Sequence, residues 1–188
     1  MSPPSERRLL TRIERVLVSE DEIRARVNEL GAEIQDDLDS DELTLLVVLH
    51  GSIFFSADLM RAISLPLYLE SIRVSSYHGG TTSSGTVKLD QSPLSELSGK
   101  DVLVVDDILD TGRTLNAVVS HLRDEIGVAS ARSCVLLDKN VKRAVEFEAD
   151  YVGFKIEDAF VVGYGLDYMG KYRNLPLIGT LKPEFILA

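Results

Sequence analysis

Between Asp106 and Thr114 the chain carries the residue types that a sugar phosphate requires. Thr111, Gly112, Arg113 and Thr114 offer consecutive backbone amides, their hydroxyls and a guanidinium. Amides at a helix start favour an anion, most simply a phosphate. Gly112 lets the backbone approach that anion or adopt positive φ. Asp106 and Asp107 suit the 2′ and 3′ hydroxyls of a ribose, or a hydrated Mg2+. Asp110 sits beside both and is free to move a proton. Thr, Gly and Asp also begin ordinary helices. Three acids followed by a complete anion cup exceed what a cap needs.

The flanking sequence positions this cup. Residues 102–105 form an apolar run long enough for a buried strand. Leu115, Val118, Val119, Leu122 and Ile126 fall on one helical face. Strand, loop and helix put the acids at the strand's carboxyl end, where open α/β sheets bind ligands. A second such unit runs through residues 45–49, breaks at His50-Gly51-Ser52, and continues as a helix through Ala57, Leu59 and Met60. Repeated units of this kind imply a parallel sheet.

Other elements follow from pattern. Residues 13–18 read as a short strand. Ser19 and Glu22 make a capping box ahead of the stripe Ile23, Val27, Leu30, Ile34 and Leu38. The acids of 36–42 read as a solvated helix end, without metal-site geometry. In 67–77, Ile72, Val74 and Ser76 alternate with Arg73 and Ser75 as in a strand. The run 78–85 is rich in Gly, Ser and Thr, and reads as a surface loop or a lid. Residues 93–100 are a connector. Strands are expected over 130–137, ending in Asp138-Lys139-Asn140, and over 151–156. Gly163, Gly165 and Gly170 lack the G-x-G-x-x-G spacing of a dinucleotide fingerprint.

The 188 residues suit one domain, residues 1–188, with 45% hydrophobic and 27% charged side chains. A net charge of −10 argues against a nucleic-acid surface but not against a small anion. The lone Cys134 lies in an apolar run, which excludes an intrachain disulfide and reads as a core thiol. No signal-peptide core and no membrane-length apolar run are present, so a cytoplasmic protein without membrane partners is expected.

The 106–114 stretch resembles the ribose-phosphate signature of the type I phosphoribosyltransferases. The segment 160–168 resembles the purine-binding segment of the hypoxanthine-guanine members, and the resemblance runs in order from about residue 15 to 175. It implies an α/β fold: a twisted, mainly parallel sheet flanked by helices, with a small base-binding hood from the chain ends, about 151–188. It implies transfer of the phosphoribosyl group from phosphoribosyl pyrophosphate to hypoxanthine or guanine, with Mg2+, in a protein that commonly forms homodimers or homotetramers. By the same resemblance Asp110 accepts the purine N7 proton, Asp106 and Asp107 hold ribose and metal, and Thr111 to Thr114 hold the 5′-phosphate. His50-Gly51 lies in the pyrophosphate loop, where His50 replaces the usual Lys, and Arg173 reaches pyrophosphate. Lys139 contacts the purine 6-oxygen, Phe160 stacks on the base, the Val161 backbone meets its edge, and Asp167 places Mg2+ through water. Ser76-Tyr77 begins a mobile lid, about 77–92.

The rival is an RNA-binding attenuator of pyrimidine operons with uracil phosphoribosyltransferase activity. These share the fold and often carry Asp-Asp with Thr-Gly-Arg-Thr. Asp110, the tail 160–167 and the net charge of −10 oppose it.

Overall fold

The computed structural model describes residues 9–76, 87–89 and 94–186. In chain order these form β1 (Ile13–Val18), α1 (Glu20–Asp36), β2 (Leu43–Leu49), α2 (Ile53–Ala62), β3 (Leu67–Ser76), β4 (Val87–Leu89), β5 (Asp101–Leu109), α3 (Arg113–His121), β6 (Ser130–Lys139), β7 (Tyr151–Ile156) and β8 (Ile178–Leu181). The main sheet has the order β4-β3-β2-β5-β6-β7. From β3 to β7 every pairing is parallel, and β4 adds an antiparallel edge on β3. The chain winds outward from β2 in one direction and from β5 in the other. The switch point therefore lies between the carboxyl ends of β2 and β5, where open sheets leave a ligand crevice.

Burial on both faces explains why the strand runs are almost wholly apolar. Leu45, Leu103, Val105, Cys134 and Leu136 face α1 and α2 through Val27, Leu30, Ile34, Phe55 and Leu59. Their neighbours Leu46, Val48, Val102, Val104 and Val135 face α3 through Leu115, Val118, Val119 and Leu122. This is the period-2 alternation of a strand read on both sides. Cys134 is fully buried, and burial pushes its thiol above the ordinary range, as befits a core residue.

Helix α1 begins as its sequence dictates. Ser19 caps it, the Glu22 amide donates to Ser19 Oγ, and the Ser19 amide donates to Glu22 Oε2 at 2.8 Å. The stripe on α3 does not continue as one helix. The α-helix stops at His121, and Leu122–Ile126 widens into a π-helical turn in which the Gly127 amide donates to Leu122 O at 3.0 Å. The apolar spacing is the same in either geometry, so the change leaves no mark in the sequence.

A second sheet pairs β1 with β8, antiparallel, and Val162 bridges to Gly179 beside it. Ile13, Val162, Tyr172, Leu175 and Leu181 give this unit its own core. The chain ends thus form the small sheet, whereas β7 belongs to the main one; of the 151–188 span, only the part after Ile156 lies outside the main sheet. Within the expected lid span, Val87–Leu89 pairs along β3. The rest of 77–92, Tyr77 included, lies outside the described residues. Among the described residues no helix is long and apolar enough to cross a membrane.

Candidate active site

The anion cup forms where β5 turns into α3. Gly112 is the N-cap, with φ of +80°. A Cβ there would come within 3.2 Å of Val145 Cγ2 and 3.3 Å of Phe147 Cβ. The positive φ favours glycine there, and the segment passing beneath lies tight against the position. That segment follows β6 and braces the cup, with the Ala144 amide donating to Thr111 O at 3.0 Å. Above it opens a cavity of about 250 Å3, lined by Asp106, Asp107, Asp110, Thr111, Gly112 and Thr114 among others. Asp110, Thr111 and Arg113 are exposed, whereas Asp106 is buried.

Burial sets the Asp106 and Asp107 carboxyls against each other. The Asp107 amide donates to Asp106 Oδ1 at 2.9 Å. Loss of solvent, and then the neighbouring Asp107 charge, hold Asp106 well above the usual carboxylate range. Burial also raises Asp107, against hydrogen bonds from Asp106 and the backbone and the charge of Arg173. Such a pair suits hydroxyl donors or a hard cation, either of which relieves the repulsion. Among the described residues no three His, Cys, Asp or Glu side chains converge as a complete metal cage.

The raised Asp106 carboxyl makes a prediction with a definite sign. The folded protein binds a proton that the unfolded chain releases, so this group stabilises fully below the ordinary carboxylate range and less as pH rises through the folded value. Asp106→Asn is expected to raise the melting temperature of the ligand-free protein at neutral pH, by about 2–4 °C for each kcal/mol relieved. The gain should shrink as pH falls towards ~4. Coincident melting curves for both proteins from mildly acid to neutral pH would contradict it.

His50 and Gly51 follow the carboxyl end of β2, across the switch point from the end of β5. The Leu49–His50 peptide is cis. A Cβ on Gly51 would overlap the Asp107 carboxylate. One on Gly165, at φ +104°, would overlap the Gly51 carbonyl. Asp107, Gly51 and Gly165 are thus stacked in contact, and two of them must be glycine. Arg173 locks the stack: Nη1 donates to Gly165 O at 2.6 Å, and Nη2 pairs with Asp167 Oδ1 at 2.7 Å. Asp167 Oδ2 also accepts the Gly170 amide at 2.6 Å. Arg173 and Asp167, expected on pyrophosphate and metal respectively, are here joined to each other. His50 is exposed, and its Nε2 lies 3.0 Å from Arg73 Nη2.

Beyond the cup, Lys139 ends β6 and its side chain is largely buried, not a solvated strand-end lysine. Its Nζ lies 3.4 Å from Asp158 Oδ1 and 4.0 Å from Asp110 Oδ2. Phe160 is 52% exposed and meets Tyr168 edge-on at 5.6 Å, leaving an aromatic face open. Val161 beside it is buried. Ser76 ends β3.

Three further partners escape the sequence. Arg73 holds His50, Asp58 accepts the Tyr164 hydroxyl at 2.6 Å beside Gly165, and Arg143 reaches the turn after β5. Each reads locally as a solvated charge. Only the tertiary contact distinguishes it.

Comparisons with known proteins agree with this geometry. The family described as "Phosphoribosyl transferase domain" matches residues 18–169. The hypoxanthine-guanine phosphoribosyltransferase of Staphylococcus aureus (strain Mu50 / ATCC 700699) is 45% identical over 172 residues, covering 92% of this chain and 96% of that protein. The bifunctional protein TilS/HprT of Listeria monocytogenes serotype 4b (strain F2365) is 46% identical over 175 residues, 92% of this chain; the chain spans only 26% of that longer relative. A crystal structure of a hypoxanthine phosphoribosyltransferase from S. aureus superposes with a TM-score of 0.84 at 44% identity, covering 94% and 95% of the two chains. The hypoxanthine phosphoribosyl transferase of Trypanosoma cruzi superposes with a TM-score of 0.81 at 43% identity, covering 92% and 93%.

Proposed function

The chain belongs to the phosphoribosyltransferase family, and on that premise we propose that it is a purine-salvage enzyme, a pentosyltransferase joining hypoxanthine or guanine to phosphoribosyl pyrophosphate. The products are the purine 5′-monophosphate and pyrophosphate. The observation that carries the reading is the 4.0 Å approach of Lys139 Nζ to Asp110 Oδ2 at the mouth of the cup. N7 and O6 lie on one edge of a 6-oxopurine. An acid and an ammonium side by side match that edge, the first accepting the N7 proton and the second donating to O6.

The residues divide the work. The amides and hydroxyls of Thr111 to Thr114 hold the 5′-phosphate, and Asp106 and Asp107 hold the ribose hydroxyls. Phe160 offers its exposed face to the base, and the Val161 backbone its edge contacts. The C1′–O bond to pyrophosphate breaks as the N9–C1′ bond forms, with positive charge developing on the sugar. Asp110 takes the N7 proton, so the base arrives as a better nucleophile. Gly51 and His50, with Arg73 and Arg173 behind them, face the departing pyrophosphate. Mg2+ would be held by Asp106 and Asp107, with Asp167 acting through water, and when bound it supplies electrostatic stabilisation of that leaving group. Residues from Ser76-Tyr77 onward are proposed as the lid that excludes water from the cation. A homodimer or homotetramer is proposed with this reading, on the family resemblance. One test is product formation from phosphoribosyl pyrophosphate and Mg2+. Inosine 5′-monophosphate from hypoxanthine with none of the uracil product supports the reading; turnover of uracil alone favours the attenuator.

His50 makes a further expected result. Its Nε2 meets Arg73 in the loop that would face the departing pyrophosphate. His50→Lys places a permanent cation there and should tighten pyrophosphate binding, with Arg73, Asp107 and Arg173 the same in both proteins. Equal pyrophosphate affinity in the two proteins would make His50 a bystander.

A further inference from the structure

Arg143 lies in the irregular segment between β6 and β7, and nothing in the reaction above uses it. Its Nη1 donates to the carbonyl of Leu109 at 3.0 Å and to the carbonyl of Asp110. Its Nη2 pairs with the Asp138 carboxylate. Only 22% of the Arg143 side chain is exposed, and 20% of that of Asp138. The acceptors belong to the ends of two neighbouring strands. The β5–β6 ladder closes with Leu109 opposite Asp138. Beyond that rung the strands part, one towards Asp110 and the cup, the other towards Lys139. Backbone carbonyls past a ladder's end need other donors. The guanidinium fork supplies them in one plane, which a single ammonium cannot do.

We infer that Arg143 is a positioning residue that sets the spacing between the Asp110 carboxylate and the Lys139 ammonium. This rests on the proposed purine reading. The clamp acts on the backbone of Asp110 and on the residue preceding Lys139, and so fixes both groups that meet the purine edge. The phosphate cup is braced by the backbone of the next residue, the Ala144 amide on Thr111 O, a bond that changing the Arg143 side chain does not remove. Loss of the Arg143 fork should therefore disturb proton transfer and base reading more than binding of phosphoribosyl pyrophosphate. Misplacement of about an ångström can cost on the order of 10²-fold in rate.

The test is a double-mutant cycle. Arg143→Met is expected to lower kcat with hypoxanthine by ~10- to 10²-fold, while calorimetric affinity for phosphoribosyl pyrophosphate with Mg2+ stays within a few-fold. Arg143→Lys, which retains the charge and not the fork, should fall between the two. In an Asp110→Asn background the Arg143→Met loss should largely vanish, because there is no proton acceptor left to position. A purely structural role would leave the loss the same in both backgrounds, which would overturn the inference. So would wild-type kcat in Arg143→Met. If the Met variant does not fold, Arg143→Lys carries the same cycle with the same criteria. A parent protein inactive on purines overturns the functional reading, and this inference with it; an active parent with an unimpaired Arg143 variant overturns this inference alone.

Discussion

Asp110→Asn is expected to fold normally, bind phosphoribosyl pyrophosphate normally and lose ~10²–10⁴-fold in kcat, the usual worth of a general base. The carboxylate is half exposed at the cup's mouth, and its Oδ2 is directed to Lys139 rather than to the buried acid pair. It is therefore expected to contribute little to the fold and, on the proposed reading, to accept the one proton that must leave the purine. Asparagine keeps the size and the helix-start character but cannot accept that proton. The amides of the cup, the Gly112 turn and the Thr111 brace are untouched, so the phosphate site should persist. A large rise in KM for phosphoribosyl pyrophosphate with kcat unchanged would place Asp110 in substrate binding instead.

The second large effect is expected at Lys139. An ammonium donates to a 6-oxygen and has no acceptor for a 6-amino group. A 6-oxopurine gains a charge-assisted hydrogen bond there, whereas adenine would set its own donors against those of the lysine. A site built for one group rejects its analogue by ~10⁴-fold or more on such grounds. The Lys139 side chain is only 13% exposed between Asp158 and Asp110, which would hold it in place for the proposed contact. Lys139→Met keeps the apolar stem and removes the charge. Loss of a hydrogen bond to a charged group, roughly 1.5–3 kcal/mol, should lower kcat/KM for hypoxanthine by ~10- to 10²-fold. Affinity for phosphoribosyl pyrophosphate should change far less. Adenine activity need not appear, since the edge contacts proposed for the Val161 backbone would still favour the oxo form. Unchanged use of hypoxanthine and guanine by Lys139→Met would leave the base to be read elsewhere.

Much of this is legible in the amino-acid order alone. Residues 45–49, 102–105 and 130–137 declare themselves as strands because both faces of the sheet are covered. Ser19 and Glu22 mark the start of α1 because a capping box is local. The cup is legible for the same reason, its acids, glycine and hydroxyls being consecutive. What cannot be read joins residues far apart in sequence. Nothing local tells that Gly51 must be small because Asp107 lies against it, or that Gly165 must be small because of Gly51. Arg143 sits beside Lys142 in a charged stretch that reads as solvated, yet it spans two strand ends. Lys139 has the same local character and is largely buried. His50 is recognisable as a replacement, but its partner Arg73 lies in the next strand, paired opposite Leu49.

The most direct measurement is the ratio of kcat/KM for hypoxanthine to that for adenine, with phosphoribosyl pyrophosphate and Mg2+ saturating. If the adjacent Asp110 and Lys139 read one 6-oxopurine edge, the ratio should reach ~10⁴ in the parent protein and fall steeply in Lys139→Met. Comparable use of the two bases by the parent, or a ratio unaffected by Lys139→Met, would contradict it.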